Sequence, residues 1–368
     1  MPSRRDARDR RPPAIVVDVG WVPGISTVHA LARGGYAVHA VDHRPDALGF
    51  RSRHAIPHVA PSRLADENAF VEFLRVLGDG LAEPAAIFAL DDDDLNTIAR
   101  RRDDLGDHLL YPFPAWPELA RLQDKRHQLE VARTLGIPVP RTAAAPTGEL
   151  GWPVLVKPAE TGAFRRRFGV KAFRCANADE LATAWRRADG FDAVVVEWIP
   201  GSDRELYTLG SYVSADGTAL GLFCGRKLVQ EPAGVGNARA AEAVWVDDVV
   251  EQGLALLRGL GFHGPSQVEF KRDPRDGSFR LIEVNPRLWQ WHGLAAACGV
   301  NLPVIACRDL CGTPPAPVRM GRRRRRWSIT FKRDRPSVVL RPPYVDPLLP
   351  PHDPQLALAH LRSVLRRQ

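Results

Sequence analysis

No run of about eighteen apolar residues, the length that a membrane-spanning helix needs, occurs anywhere in the chain. Met1 to Pro13 are charged and lack the apolar stretch of a secretory signal, so they read as a disordered lead-in. Cysteine is scarce: five residues, Cys175, Cys224, Cys298, Cys307 and Cys311, with no CxxC pair. That spacing excludes a zinc ribbon and fits the reducing cytoplasm. Cys307 and Cys311 share a helix face, where buried packing outweighs a metal. Also missing is the GxGxxG dinucleotide fingerprint. The loop after the first apolar run reads Gly20-Trp21-Val22-Pro23-Gly24, and the lone acid Asp42 does not make an NAD site. No Ser–His–Asp or Cys–His arrangement suggests a protein nucleophile.

The chain has 368 residues, 45% hydrophobic and 26% charged, the composition of a soluble globular protein of two or three subdomains. Its net charge of +8 is uneven, because Arg322 to Arg326 is an unbroken arginine run. The total charge therefore says little about partners. Trp327 to Phe331 follows and reads as a strand, which makes the run its exposed approach. Nucleic-acid binding through Arg319 to Arg335, with strong salt dependence, is the rival reading and is not expected.

Ala14 to Val19 reads as a strand, Ser26 as the cap of a helix through Arg33, Gly34-Gly35 as its stop, and Tyr36 to Val41 as a second strand. This is the start of an open parallel sheet. Phe70 to Leu77 is helical in pattern and Ala85 to Leu90 a strand. Asp91 to Asp94 follow it; four consecutive acids point in different directions, so helix capping explains them better than a metal cluster. After the proline-rich break Tyr111 to Pro117, one helix is expected from Glu118 to Leu135. Strands are expected over Val154–Lys157, Val194–Trp198, Tyr207–Val213, Leu220–Cys224, Ser266–Lys271 and Phe279–Val284. Helices are expected over Val249–Leu260 and Gln355–Arg367.

The chemistry concentrates in Val268-Glu269-Phe270-Lys271 and Leu281-Ile282-Glu283-Val284-Asn285, joined by the turn Asp273-Pro274-Arg275-Asp276-Gly277. A turn centred near Asp276 opposes Glu269 and Glu283 and puts Asn285 on their face, with Val268, Phe270, Ile282 and Val284 on the core face. Opposed glutamates repel unless a divalent cation sits between them; an exposed sheet edge with solvated acids is the alternative. Two carboxylates and an amide oxygen suit Mg²⁺ bridging nucleotide phosphates. Arg287 follows, a permanent cation suited to a phosphoryl group or an oxyanion. Lys157 at a strand end and Lys125 on the helix after the proline break could reach phosphates or be solvated surface lysines. The segment Glu160 to Gly169, with two glycines and three arginines, reads as a flexible loop able to close over them.

In this order the pieces DK, VLVKPA, VVEWIPG, VEFK and IEVNPR resemble the ATP-grasp superfamily over roughly Trp116 to Gly312. The closest look is to the D-aspartate-ligase-like, carboxylate–amine ligase branch, carried by Gly225 to Leu228 and Ala295 to Leu310. The resemblance implies an α/β (α+β) fold: a Rossmann-like pre-ATP-grasp domain over 14–112, ATP-grasp lobes over 116–190 and 191–312, and a basic, proline-rich extension over 313–368. It implies Lys125 and Lys157 on the ATP phosphates, backbone groups of Glu197 and Ile199 on adenine, and Asp203 on the ribose. It also implies Glu269, Glu283 and Asn285 as ligands of Mg²⁺ (or Mn²⁺) and Arg287 as the catalytic arginine. Arg226 and Lys227 are candidates for the γ-phosphate or a substrate carboxylate, and His292 for a general base. Trp289 and Trp291 are either an aromatic wall or core. Biotin-dependent carboxylases have a glutamate before the histidine of this region, where this chain has Trp291, and no biotin-accepting Met-Lys-Met sequence occurs. The implied reaction is an ATP-dependent ligation of a small carboxylate, of an amino acid or small peptide, to an amine through an acyl phosphate. Similar proteins are commonly homodimers. A small-molecule phosphotransferase on the same fold and a nucleotide-binding regulator are the rivals.

Overall fold

The computed structural model describes residues 11–146, 148–158, 161–321, 325–329, 331–332, 335–336 and 344–365. Most of the lead-in, Glu160, and Arg322 to Arg324 of the arginine run lie outside the described residues, as do Thr330, Arg366 and Arg367.

The chain opens with β1 (Ala14–Val17), α1 (Val22–Arg33), β2 (Val38–Asp42), β3 (Ala55–Val59), α2 (Glu67–Asp79), β4 (Ala85–Ala89), α3 (Asp92–Arg100) and β5 (Leu109–Leu110). The five strands form one parallel sheet in the order β3-β2-β1-β4-β5. Every residue of β1 and β4 is buried, as central parallel strands covered on both faces require. Helix α1 starts ahead of Ser26: Pro23 occupies its first turn, where a missing N–H costs nothing, and Ser26 is buried inside the helix. Gly34 and Gly35, the latter at φ 81, end it. The Asp91 side chain caps α3 by accepting from the Asp93 N–H at 3.0 Å, and Asp92 to Asp94 fill the first turn.

The helix expected over Glu118 to Leu135 is two, α4 (Trp116–Gln123) and α5 (Lys125–Thr134). Asp124 is extended, at φ −67 and ψ 111, and its carboxylate caps α5 through the Arg126 N–H at 2.8 Å. The break makes Lys125 the first residue of the new helix.

Next come β6 (Thr142–Ala143), β7 (Val154–Pro158), α6 (Thr161–Phe168), β8 (Phe173–Cys175), α7 (Ala178–Arg187) and β9 (Ala193–Glu197), whose strands form an antiparallel sheet in the order β6-β9-β7-β8. The expected flexible loop is therefore largely helix. Phe164 is fully buried, with the rings of Phe168, Phe173 and Phe191 at 4.7, 4.9 and 5.2 Å from its own. Phenylalanines four apart share a helix face. That spacing was the signal, and the glycines and arginines masked it.

The third sheet takes up β10 (Leu206–Val213), β11 (Ala219–Glu231), β12 (Asn237–Ala243), β13 (Gly264–Arg272) and β14 (Phe279–Asn285), with helices α8 (Asp247–Gly259), α9 (Gly293–Ala297) and α10 (Leu302–Leu310). Short strands β15 (Val318–Arg319) and β16 (Arg326–Ser328) follow, then the hairpin β17 (Phe331–Lys332) with β18 (Arg335–Pro336), then β19 (Tyr344–Val345) and α11 (Pro354–Leu365). The order is β14-β13-β10-β11-β12-β16-β19, with β15 on β11. Strand β12 was not foreseen. Its alanines favour helix locally, but Ala238, Ala240, Ala241 and Ala243 are buried and tertiary packing wins.

One face of the first sheet, the third sheet and α8 to α10 share a continuous apolar core, whereas the second sheet closes its own small core around Phe164. Trp289 and Trp291, 2% and 1% exposed, belong to the large core and pack edge to face, with ring centres 5.8 Å apart. Cys307 is buried there as well. Gly210 of β10 gives Trp289 its place: a Cβ on it would lie 1.9 Å from the indole. Gly210→Ala is expected to destabilise the fold by about 1–3 kcal/mol through overpacking, seen as a lower midpoint in urea with an unchanged slope.

Candidate active site

The site is built on the β13–β14 hairpin. Glu269 pairs directly with Glu283, and Gln267 with Asn285. A bulge after Glu269 sets Phe270 opposite Leu281. Leu281, not Ile282, therefore joins Val268, Phe270 and Val284 in the core, a one-residue flip that a regular alternation does not anticipate.

Lysines answer both glutamates. Glu269 Oε1 accepts from Lys227 Nζ at 2.7 Å and from Gln267 Nε2 at 3.0 Å. Burial works against the charge of Glu283, but Lys157, Lys171 and Lys125 overcome it and hold its carboxyl well below the usual range. Asn285 Nδ2 donates to Glu283 Oε1 at 3.1 Å. Lys125 Nζ donates to Thr161 Oγ1 at 2.6 Å and to the Pro158 carbonyl at 3.3 Å. Burial, reinforced by Lys157, pushes its pKa down to about 8. Lys157 Nζ donates to the Ile282 carbonyl at 3.2 Å. Lys171, which sequence reasoning missed, donates to Asn237 Oδ1 at 2.9 Å and is lowered chiefly by burial. It lies between α6 and β8 with no motif around it, and only its place just past the glycine–arginine segment hinted at it. Half-buried cations crowded round one carboxylate form a cradle for a polyanion.

The Arg287 guanidinium is held by Asp92 of α3 in a two-point ion pair, Nε to Oδ1 at 2.5 Å and Nη2 to Oδ2 at 2.9 Å. Arg226 bonds Glu242 at 2.7 Å and the Tyr207 hydroxyl at 3.4 Å. Lys227 also reaches Gln230 Oε1 at 3.2 Å. The Glu197 side chain is buried and clasped by Arg141 at 3.3 Å and Arg275 at 2.7 Å, while its backbone N–H donates to the Arg141 carbonyl at 2.9 Å. Ile199 is buried beside the same strand end. Asp203 accepts from the N–H groups of Gln230 and Gly234 at 2.8 and 3.0 Å and from Gln230 Nε2 at 2.9 Å, which pins the end of β11.

His292 does not face this cradle. It is 1% exposed, with Nδ1 bonded to the Trp289 carbonyl at 2.7 Å and Nε2 to Thr27 Oγ1 at 3.2 Å. Burial lowers its pKa to about 4. With both nitrogens engaged it ties α9 to α1, so the expectation of a general base there is corrected.

Among the described residues no group of three or more His, Cys, Asp or Glu gathers as a metal site. Glu269, Glu283 and the Oδ1 of Asn285 nevertheless fit a hard cation, because all are oxygen donors on one face and Asn285 turns its amino group toward Glu283. Mn²⁺ suits the same donors.

A family model described as "Carbamoyl-phosphate synthase L chain, ATP binding domain" matches residues 238–312. The chain is 24% identical over 252 residues to a D-aspartate ligase of Enterococcus faecium, covering 63% of this chain and 57% of that one. It is 29% identical over 187 residues to a D-alanine–D-alanine ligase of Pseudomonas fluorescens, covering 45% and 54%. A biotin carboxylase from Campylobacter jejuni, solved as a β-γ-ATP complex, superposes with a TM-score of 0.64 at 16% identity, covering 83% of this chain and 72% of that one. The two-lobed arrangement behind a parallel-sheet unit is thus the ATP-grasp fold. In sequence and in fold the chain is similar to ATP-grasp proteins. It spans a little over half the length of the curated relatives it matches, 57% and 54%.

His292 supplies a pH test. Its folded pKa of about 4 lies below the ordinary 6.5. Between those values the unfolded chain binds the proton and the folded chain does not, so stability falls as pH drops through that window. His292→Gln is expected to shallow this acid limb in thermal melts and to keep kcat within about threefold. A loss of about 100-fold in kcat with an unchanged melt would restore the general base.

Proposed function

We propose that the chain joins a small carboxylate to an amine with hydrolysis of ATP to ADP and phosphate. The reading rests on the Glu283 carboxylate held ionised among Lys125, Lys157 and Lys171, opposite Glu269 and beside Arg287. Such a surplus of half-buried positive charge suits a nucleoside triphosphate. Lys125 and Lys157 are assigned to its α- and β-phosphates, Lys171 to the same anion, the strand end at Glu197 and Ile199 to adenine, and Asp203 to the ribose. For Asp203 this asks a carboxylate already holding three donors to accept the ribose hydroxyls on its remaining lone pairs. Glu269, Glu283 and Asn285 would hold Mg²⁺. When bound, the metal screens phosphate charge and polarises the transferring group.

A carboxylate oxygen of the substrate attacks the γ-phosphorus, the bond to the β-phosphate oxygen breaks, and an acyl phosphate and ADP result. The amine nitrogen then adds to the acyl carbon, loses a proton to solvent, and phosphate departs as the carbonyl re-forms. Arg287 stabilises the oxyanion of that tetrahedral intermediate. No side chain bonds covalently to substrate, in keeping with the burial of His292. Arg226 and Lys227 are assigned to the γ-phosphate or the substrate carboxylate. The similarity to proteins named D-aspartate ligase and D-alanine–D-alanine ligase supports an amino acid or small peptide as the carboxylate or the amine.

The test measures ADP, AMP and phosphate over a matrix of carboxylates and amines with MgATP. ADP and phosphate appearing only with both partners, and falling by about 100-fold or more in Glu283→Gln, is the expected result. AMP with pyrophosphate would replace the acyl phosphate by an adenylate. A stable phosphorylated product formed without amine would make the protein a phosphotransferase.

A further inference from the structure

The four acids Asp91 to Asp94 cap α3, yet each is also engaged by an arginine from elsewhere in the chain. Arg287 grips Asp92. Arg165 of α6 reaches Asp91 at 3.7 Å, and Arg166 of α6 bonds Asp93. Arg63, from the connection after β3, bonds Asp94 at 2.8 Å and Asp93 at 3.4 Å. The first turn of α6 comes close to this run as well, since a Cβ on Gly162 would lie 3.1 Å from Asp93 Oδ1. The Lys125–Thr161 bond anchors the start of α6 to the lysine cradle. One turn of the first sheet's helix thus meets both the helix that starts at the cradle and the arginine beside it. A capping role needs only Asp91, and dipole complementarity needs no partner arginines.

We propose that Asp91 to Asp94 form an ion-pair dock in which Asp92 is the positioning residue for Arg287 and Asp91 and Asp93 hold α6 closed. This deepens the ligase reading and rests on it for the part that concerns Arg287. A guanidinium on a flexible stem has many rotamers; a two-point carboxylate partner, with Nη1 also donating to the Leu288 carbonyl at 3.4 Å, leaves one and still keeps N–H groups to meet an oxyanion. Coupling follows from adjacency. Asp92 and Asp93 are consecutive in one helical turn, so α6 seated on Asp93 finds Arg287 already oriented, and the acyl phosphate forms only under a closed cover.

Three variants separate the parts. Asp92→Asn is expected to lower kcat about tenfold or more with KM for ATP within about threefold, and Asp92→Glu, which keeps the charge, to regain most of that loss. Asp91→Asn/Asp93→Asn is expected to raise KM for ATP several-fold and to speed tryptic cleavage at Arg165 to Arg167 about fivefold or more in the ligand-free protein. Glu72→Gln, which breaks the exposed Glu72–Arg75 pair of α2, is the control and is expected to change neither. An Asp92→Asn enzyme with wild-type kcat, or Asp92→Glu as damaged as Asp92→Asn, overturns the positioning role. An unchanged cleavage rate in the double variant overturns the dock. If the wild type turns over no pair of substrates, the ligase reading and the positioning role that rests on it both fail, while the proteolysis still decides the dock.

Discussion

Glu283 is a half-buried carboxylate near the end of a hairpin strand, and the candidate site depends on keeping it charged. Burial alone would protonate it; Lys157, Lys171 and Lys125 prevent that. These lysines come from three different pieces: the first residue of α5, the end of β7, and the connection from α6 to β8. Each of those pieces must be fixed in place for the charge to survive. The Asp124 break starts α5 at Lys125, the pairing of β7 with β9 carries Lys157 to the Ile282 carbonyl, and the phenylalanine cluster sets α6 ahead of Lys171. A half-buried ion cluster like this adds little net stability. In the proposed reading its worth is that a nucleotide and a divalent cation complete it.

The hairpin was legible because its information is local. A turn signal at Asp273 to Gly277 and two period-2 runs fix which residues face each other, and Glu269 does pair with Glu283. The bulge was not legible. It trades Ile282 for Leu281 in the core without any sequence mark, because both residues are equally apolar. The same split runs through the fold. Ala14 to Val17 and Ala85 to Ala89 declare themselves as central strands by composition, whereas β12 is a strand only because the sheet on either side of it demands one.

The site residues divide on similar lines. Motif position singled out Lys125, Lys157, Glu269, Glu283, Asn285 and Arg287 as candidates, and the fold brings them together. It could not find Lys171, which has no neighbours of note in sequence. It misjudged His292, where a short step after Arg287 looked like proximity to the chemistry. A helix begins at Gly293, and its entry turns the imidazole inward to Thr27. Sequence distance from a motif says nothing about which side of a helix entry a side chain takes.

The acids Asp91 to Asp94 expose a limit of reading one segment at a time. Within their own helix they are a cap and a dipole complement, and that account is correct as far as Asp91 goes. What it omits is their spread around the axis. Four successive residues on a helix point roughly 100° apart, so a run of acids presents charge in every direction at once. That makes it a poor metal site, since ligands must converge. It makes it a good junction, since partners arriving from different lobes each meet a different carboxylate. The same geometry that argues against a cation here argues for arginines, and arginines from the β3 connection, from α6 and from the residue after the hairpin are what surround it.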